Sequence, residues 1–404
     1  MRRRIAASPS RASCARRATL VFGIRASQSA RCGRLAFDSR SNPDSACPSS
    51  LATSYPTETI RPVSYNGAAS VPRLRAKRRH RQKLAQYRND MVTSELHVIF
   101  GTGPVGCWTA RALHDRGLRI CAFNRSGRRP ALMPDDVQIG AADLLDPAQA
   151  KAAAEGAAVV YQALNPPYHQ WTDQFPALQA AALTAAAANG ARYVSIENLY
   201  MYDGSEIINE DSPFNPRSRK GTLRAEMAEQ MMQAHRRGEV RATALRSSDY
   251  YGPGVTLSAM GQMVFGNLAA GKKAQLIGSA TQPHSFAYIE DVGLAAATLG
   301  THENVTGKIW IAPHAPARTQ GEMVEAAGRI PGITPRFSVI SPLMMRLAGL
   351  FIPQARASVE MMYQFTQPFV VDSSRIEREP GVHPTPIDTG IERTLRWYQQ
   401  AADE

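Results

Sequence analysis

Cysteine is scarce in this sequence, which contains five among 404 residues. Cys14, Cys32 and Cys47 lie near the amino terminus without the spacing of metal ligands, and Cys107 and Cys121 lie in apolar surroundings. The cysteines therefore give no sign of an oxidising compartment, and we expect plain thiols and no metal site.

Long apolar runs are also missing. The most apolar carboxyl-terminal stretch, 342–353, is too short to span a bilayer and contains Arg346. A glycosylation acceptor begins at Asn304, but no signal peptide gives it a context. We therefore expect a cytoplasmic protein with no membrane partner.

Acidic residues are rare at the amino terminus. Residues 1–90 hold 19 basic and 4 acidic side chains, while the rest of the chain holds 28 basic and 30 acidic ones. The formal net charge of +13 thus belongs to this basic region, and we expect no nucleic-acid partner. Its Arg- and Ser-rich composition is also typical of a transit peptide, and 75–81 resembles a nucleic-acid patch. Since Met91 stands just before the first predicted strand, we interpret 1–90 as a disordered extension or an over-long translation start.

The most informative stretch is His97–Gly106, which reads HVIFGTGPVG. An apolar run precedes glycines in G-x-G-x-x-G spacing, and a helical pattern follows. In a dinucleotide site, Gly101 permits the tight turn, Gly103 lets the backbone approach a pyrophosphate, and Gly106 lets helix and strand pack closely. The helix amides then face the phosphates. The predicted cofactor contacts here are Gly101, Thr102, Gly103, Pro104, Val105 and Gly106.

Strand and helix patterns alternate from residue 94 onward, which predicts a parallel sheet covered on both faces. The predicted strands are 96–101, 119–124, 137–141, 157–163, 192–196 and 241–246, and the main helices are 104–116, 171–189 and 220–236. After residue 250 the alternation loosens, with a helix near 257–270 and strands at 274–277 and 308–313.

The second strand lacks an acidic residue at its end, where NAD-binding proteins hold the ribose hydroxyls. The sequence there is Asn124, Arg125 and Ser126, with Arg128 close behind. A guanidinium pairs well with a 2′-phosphate, so we favour NADP over NAD, with a solvated basic loop as the alternative.

Polar groups follow the next two strands as well. Asp143, with Leu144, can bind adenine from the end of strand three or cap the following helix. Ala163 and Asn165 follow strand four, where two prolines stiffen the backbone at the expected ligand crevice.

Several motifs together resemble the extended short-chain dehydrogenase/reductase family, the NAD(P)-dependent epimerase/dehydratase group. They are GTGPVG at 101–106, Asp143-Leu144, Leu245-Arg246 with YGPG at 251–254, and FAYIED at 286–291. The resemblance covers about 95–400. It implies a doubly wound α/β Rossmann domain at 91–313 and a smaller α/β substrate lobe at 314–404, joined by parts of 203–219 and 250–285.

The catalytic pair of that family is altered in this sequence. Where the family has Tyr-x-x-x-Lys, this chain has Lys220 and Arg224, and Asn198 stands at the family's Ser or Thr position. Arg224 can keep the cationic role at the nicotinamide ribose while Lys220 or a nearby tyrosine handles the proton; the alternative is a solvated basic helix face. Asn198 can orient a carbonyl or cap a loop.

Three tyrosines complete the candidate set. Tyr200 and Tyr202 follow strand five and either project into the crevice or pack in the core. Tyr250 follows strand six, near the expected nicotinamide amide, or is core. His284 stands where the nucleotide-sugar branch often has Arg, which disfavours a nucleotide-sugar substrate.

Two functions follow from these observations. The favoured one is hydride transfer at a secondary alcohol or carbonyl of a small molecule. The other is a non-catalytic, NADP-binding redox sensor, which the missing tyrosine allows. The architecture also allows a homodimer.

Overall fold

The computed structural model describes residues 95–379 and 381–403. The expectations for residues 1–90 lie outside them. The centre of the fold is a seven-stranded parallel sheet. Its strands are β1 (Leu96–Phe100), β2 (Arg119–Asn124), β3 (Gln138–Ala141), β4 (Ala157–Gln162), β5 (Arg192–Asn198), β6 (Arg241–Ser247) and β11 (Ile309–Ile311).

The strand order is β11-β6-β5-β4-β1-β2-β3. The chain therefore runs outward from β1 to β3, crosses back, and continues outward from β4. Phe100 pairs with Phe123 on one side and with Gln162 on the other, so the carboxyl ends of these strands align. The reversal of strand order between β1 and β4 opens a crevice at those ends, where open α/β sheets bind ligands.

Helices cover both faces of the sheet. They are α1 (Pro104–His114), α2 (Pro147–Ala153), α3 (Trp171–Ala188), α4 (Arg219–Arg236) and, after β6, α6 (Ile289–Thr301). The α1 and α6 side chains join one hydrophobic core with Ile99 and Val194. Small residues of α2 and α3 and the Met231 side chain of α4 join the other core, with Val98 and Tyr193. This arrangement is the doubly wound α/β fold predicted from the sequence.

A third core lies beyond the sheet. It joins Tyr251, Phe265, Leu276, Met323 and Leu395. The short strands here are β7 (Tyr250–Tyr251), β8 (Ala274–Ile277), β9 (Pro283–His284), β10 (Ala287–Tyr288), β12 (Arg318–Thr319) and β13 (Phe337–Ile340). The helices are α5 (Asn267–Ala269), α7 (Gln320–Ala327), α8 (Pro342–Ala348), α9 (Pro353–Ser358), α10 (Tyr363–Thr366) and α11 (Ile387–Asp403). No helix in the described part of the chain is both long and apolar enough to cross a membrane.

One local expectation, the helix near 257–270, is wrong. Instead of one helix over 257–270, the chain forms a π-helical turn, Gly261–Gly266, followed by the short α5. Asp291 lies in the first turn of α6, whose N-cap is Tyr288 and which no side chain caps. The Asp291 carboxylate instead accepts hydrogen bonds from the backbone N–H and the hydroxyl of Thr385, each at 2.7 Å.

Candidate active site and cofactor cleft

In the glycine loop after β1, contacts within the protein leave no room for a side chain at Gly101 or Gly106. Gly101 has φ of +99°, and a Cβ there would lie 2.6 Å from the carbonyl oxygen of Ala163. A Cβ at Gly106 would collide with the carbonyl oxygen of Gly101. By contrast, a Cβ at Gly103 meets no heavy atom within 4 Å. The space beside Gly103 is therefore open for a group from outside the chain.

The amino terminus of α1 faces that space with its charge uncompensated. Gly103 is the N-cap, Pro104 opens the helix, no side chain caps it, and the first turn has no acidic residue. The first amides of a helix carry no intrahelical bonds and favour an anion. The loop thus fits a dinucleotide pyrophosphate. The sequence placed Thr102 and Val105 beside it, and both lie in this turn.

Asn124 organises the loop after β2. Its amide nitrogen donates to Oγ1 of Thr102 at 2.8 Å and to the carbonyl oxygen of Arg128 at 2.9 Å. Its Oδ1 accepts from the backbone N–H of Ser126 at 3.0 Å and from the Ser126 hydroxyl at 3.1 Å. These bonds fold the loop around a cavity of about 440 Å³ lined by Thr102, Asn124, Arg125, Ser126, Arg128, Arg129 and Pro130.

The three arginines of this cavity differ in what they bind. The Arg129 guanidinium donates to the carbonyl oxygens of Pro134 and Val137 at 2.5 and 2.7 Å, so it holds the loop. Arg125 and Arg128 are exposed, and neither side chain has a hydrogen-bond or ion-pair partner among the described residues. These two guanidinium groups are therefore available to a phosphate.

The remaining cofactor candidates line the neighbouring strand ends. Oδ1 of Asp143 accepts from the backbone N–H of Leu145 at 3.1 Å. Asp143 does not cap the next helix, because Asp146 does so through Ala148; the adenine contact stays a prediction. The Leu144 side chain is buried in the core, so only its backbone can reach a ligand.

Ala163 and Asn165 follow β4 at the switch point. The Ala163 N–H bonds the carbonyl oxygen of Phe100 at 2.8 Å, which ties this loop to the glycine turn. The Asn165 side chain is exposed and has no partner among the described residues. Both residues follow the carboxyl end of β4, and their contact with a cofactor stays a prediction.

Lys220 lies on α4, at the position of the family tyrosine, but it is not solvated. Its Nζ donates to Oε1 of Glu360 at 2.6 Å and to the carbonyl oxygen of Ala357 at 2.8 Å. It also lies 5.4 Å from the ring centre of Tyr168. The alternative of an exposed basic face is therefore wrong, because the ammonium group is nearly buried and paired.

Arg224 is fully buried and contacts a second carboxylate. Its guanidinium lies 3.6 Å from Oε1 of Glu197 and 4.7 Å from the ring centre of Phe175. Oε2 of Glu197 accepts from Arg246 at 3.0 Å, and Arg246 also donates to the Tyr202 hydroxyl at 2.5 Å. Two guanidinium groups thus share one carboxylate, which leaves excess positive charge behind the ends of β5 and β6.

That network settles the position of Tyr202. Its side chain packs in a core with Leu199 and Phe369, and its hydroxyl is satisfied by Arg246. It is therefore a core tyrosine and not a crevice residue. Asn198 caps a loop, which was one of its two expected roles. Its Oδ1 accepts from the Tyr200 N–H at 3.2 Å in the turn after β5.

Tyr200 lies in an aromatic wall at the crevice. Its hydroxyl bonds the hydroxyl of Tyr168, and its ring stacks on Trp171 at 5.7 Å. Burial raises the pKa of Tyr200 well above its ordinary value, and the charges of Tyr168 and Asp249 add to this rise. A tyrosine that exchanges a proton near neutrality needs the opposite shift.

Tyr250 follows β6 and packs, partly buried, against the core formed by α1 and α6. Burial raises the pKa of its phenol, with Asp249 adding to the rise and Arg224 opposing it. Tyr250 therefore lies within range of both charges, and its contact with the nicotinamide stays a prediction.

Sequence reasoning missed three acidic residues of this site, Glu197, Asp249 and Glu360, and the pairing of His284 with Asp249. Each one acts through a partner distant in sequence. His284 lies 3.2 Å from Asp249, for example, and Glu360 binds Lys220 across 140 positions. Only the place of Asp249 at the end of β6 offered a signal, since ligand residues gather at strand ends.

The fold and the cleft together define a nucleotide-binding protein of the Rossmann type. The model of the NAD dependent epimerase/dehydratase family matches residues 98–312, which is more than half of the chain. The chain therefore belongs to the NAD-dependent epimerase/dehydratase family, which confirms the resemblance found in the sequence. No curated protein matches the chain.

Solved structures share this fold at low identity. The UDP-glucuronic acid 4-epimerase from Bacillus cereus, in complex with UDP-glucuronic acid and NAD, has a TM-score of 0.62 at 17% identity, covering 76% of this chain and 99% of that one. Epimerase Mth375 from Methanothermobacter thermautotrophicus has a TM-score of 0.64 at 14% identity, covering 78% and 95%. The UDP-glucose 4-epimerase from Thermus thermophilus, in complex with NAD, has a TM-score of 0.59 at 15% identity, covering 76% and 99%. These likenesses show the fold.

Proposed function

We propose that this protein is an NADP(H)-dependent oxidoreductase or epimerase that acts by hydride transfer at a secondary alcohol or carbonyl. The observation that carries the proposal is the open space at Gly103. This space faces the uncapped amides of α1, whereas backbone atoms of the chain fill the space beside Gly101 and Gly106. A helix terminus with room for a diphosphate is what this cofactor class requires.

The phosphate form of the cofactor is supported by the loop after β2. Arg125 and Arg128 line its cavity without partners among the described residues, and no acidic side chain lines it. A carboxylate there would bind the ribose hydroxyls of NAD, whereas guanidinium groups suit a 2′-phosphate. NAD(H) remains the alternative, because the two nucleotide-sugar epimerases above are described with NAD.

The chain contributes binding and charge to the reaction. When bound, the nicotinamide dinucleotide donates or accepts the hydride. The glycine loop holds the diphosphate, and Arg125 and Arg128 hold the 2′-phosphate. Arg224 supplies positive charge near the nicotinamide ribose, and Lys220 and Tyr200, which both contact Tyr168, are the residues proposed to meet the reacting oxygen.

The substrate we propose is a small carbonyl compound or alcohol without a nucleotide diphosphate. His284 occupies the place where nucleotide-sugar enzymes of the family often have Arg. Here its side chain is buried and paired with Asp249, so it offers a diphosphate no free charge.

The test mixes full-length protein with NADPH and, in turn, acetaldehyde, benzaldehyde, cyclohexanone and UDP-glucose, and follows absorbance of the reduced nicotinamide. We expect oxidation of NADPH with at least one of the first three, and its loss in Lys220→Ala or Tyr200→Phe. Turnover that survives in both variants removes these residues from the catalytic set.

A redox-sensing function is the second candidate, and one observation favours it. Nζ of Lys220 donates to Glu360 and to the carbonyl oxygen of Ala357, so contacts within the chain already occupy the group at the family's tyrosine position. Tight NADPH binding without turnover on any compound would support the sensor and contradict the enzyme.

We further propose a cytoplasmic homodimer, with the cofactor domain over 91–313 and the substrate lobe over 314–404. Light scattering on the full chain tests the dimer: a monomer mass would contradict it.

A further inference from the structure

Helices α8 and α9 form a hairpin, 342–358, whose large apolar side chains are mostly exposed. Met345 is buried and anchors the hairpin to the protein. A Cβ at Gly349 would lie 2.9 Å from Cα of Arg356, so the two helices pack closely at the turn between them. Ten large apolar side chains are exposed in the described part of the chain, and six of them belong to this hairpin: Leu343, Met344, Leu347, Leu350, Phe351 and Ile352. An apolar surface of this kind marks an interaction site.

The turn is the most exposed part of the hairpin. Phe351 is 87% exposed and Leu350 is 74% exposed, although both residue types are usually buried. The stretch 342–353 is too short to span a bilayer, which argued against a membrane partner, but a segment that lies at the lipid surface needs no span. Phe and Leu beside basic residues are typical of such surface segments.

The charge of the hairpin has one sign. Arg346 and Arg356 are exposed, and neither side chain has a hydrogen-bond or ion-pair partner among the described residues. The sequence contains no acidic residue from 337 to 358. A partner that fits this surface must therefore offer negative charge together with apolar contact.

This charge disfavours two occupants from the chain itself. In a twofold dimer the surface would pack on its own copy, and the arginines would find no carboxylate there. Residues 1–90 hold 19 basic and 4 acidic side chains, so that region also has the wrong sign. A bilayer with anionic headgroups fits both requirements, because its surface attracts arginine while its acyl chains accept Leu and Phe.

The hairpin also contacts the candidate active site. The carbonyl oxygen of Ala357 accepts from Nζ of Lys220 at 2.8 Å. Ala357 lines a cavity of about 360 Å³ together with Leu350, Phe351 and, from the segment before α3, His169. A partner bound to the turn of the hairpin therefore lies beside the Lys220 end of the site.

From these observations we infer that the hairpin 342–358 docks on the surface of an anionic bilayer. Leu350 and Phe351 enter the boundary of the acyl chains, and Arg346 and Arg356 bind the headgroups. The contact is peripheral, and it brings the Lys220 end of the candidate site to the membrane.

Vesicle sedimentation tests the docking with full-length protein and without cofactor. The vesicles contain phosphatidylcholine mixed with phosphatidylserine. We expect Phe351→Ser to lower the partition coefficient at least about tenfold, because the ring no longer enters the lipid. The double change Arg346→Gln and Arg356→Gln should lower it about 30-fold. Leu257→Ser is the matched control, because it alters a fully exposed apolar residue outside the hairpin, and it should bind like the wild type.

A fluorescent probe shows whether the hairpin itself touches the lipid, since the basic region 1–90 can also attract anionic vesicles. The emission of Phe351→Trp should shift to shorter wavelength on these vesicles by more than that of the wild type, whereas Leu257→Trp should not. The inference is overturned by a wild type that does not bind the vesicles, by equal binding of folded Phe351→Ser, or by unshifted emission of Phe351→Trp. A wild-type dimer that Phe351→Ser converts to monomer in light scattering also overturns it, because a second copy then covers the hairpin.

Discussion

Nζ of Lys220 lies 2.6 Å from Oε1 of Glu360, and Oε2 of the same carboxylate accepts the backbone N–H of Arg219 at 2.8 Å. One side chain thus neutralises the lysine at the family's tyrosine position and satisfies an amide in the first turn of α4. Glu360 follows α9, so this contact fastens that segment to the edge of the crevice. The lysine side chain is thereby held in place.

The Glu360 contact should contribute measurably to stability. We expect Glu360→Ala to lower the free energy of unfolding by about 1–3 kcal/mol, because it leaves a nearly buried ammonium group and an amide without their acceptor. Glu360→Gln, which keeps a carbonyl oxygen in reach, should lose less. Urea denaturation measures both, and equal losses in the two variants would show that acceptance by this oxygen is unimportant.

Arg125 should select the cofactor form. Replacing Arg125 with Glu puts a negative charge at the proposed 2′-phosphate, so the Kd for NADPH should rise by roughly 10- to 100-fold and that for NADH much less. Calorimetry measures both constants. Arg346→Glu, the same change at an exposed arginine outside the loop, is the control. Equal weakening of both cofactors by Arg125→Glu would mean that Arg125 does not bind the phosphate.

His314 should make the fold sensitive to mild acid. Its Nδ1 donates to the carbonyl oxygen of Ala312 at 2.6 Å and its Nε2 accepts from the Ser248 N–H, so the neutral ring is satisfied. Burial lowers the pKa of His314 from 6.5 to about 4. Below pH 6.5 the unfolded chain takes up a proton that the folded chain refuses, so stability is complete above 6.5 and is lost as the pH falls toward 4.

The size of that loss follows from the shift. Between pH 7 and pH 5, His314 should cost the wild type about 2 kcal/mol of unfolding free energy. His314→Gln offers an uncharged acceptor to Ser248 and should lose about that much less over the same interval, measured by urea denaturation at both values. A variant as acid-sensitive as the wild type would contradict the assignment.

Local patterns predicted the sheet closely. The bounds of β2 and β8 agree with the sequence because apolar alternation ends there at clear polar or glycine signals. β5 was predicted two residues too short, since Glu197 and Asn198 look like loop residues. The strand continues because Arg246 and Arg224 neutralise Glu197 from other elements, and no local signal reports such a partner.

The site was less predictable for the same reason. The glycine spacing placed Gly101, Gly103 and Gly106 because their constraint is local. The hydroxyl of Tyr202 is satisfied by Arg246, and the ammonium group of Lys220 is paired with Glu360. These contacts exist only once the chain is folded. A sequence shows which residues reach a strand end but not which of them become paired.

Gly103 and Gly106 should respond oppositely to the same substitution. Gly103→Val should fold normally, because no protein atom lies within 4 Å of its Cβ, and should weaken NADPH binding at least tenfold by filling the diphosphate space. Gly106→Val should destabilise the fold itself, since its Cβ collides with Gly101. Calorimetry and thermal melting distinguish the two, and unchanged NADPH affinity in Gly103→Val would count against the whole cleft.

The most direct measurement is isothermal titration calorimetry of the full-length wild type with NADP⁺, NADPH, NAD⁺ and NADH. We predict saturable binding, tighter for the two phosphorylated forms. The absence of binding heat with all four, in protein shown to be folded, would contradict the claim that this glycine loop holds a nicotinamide dinucleotide.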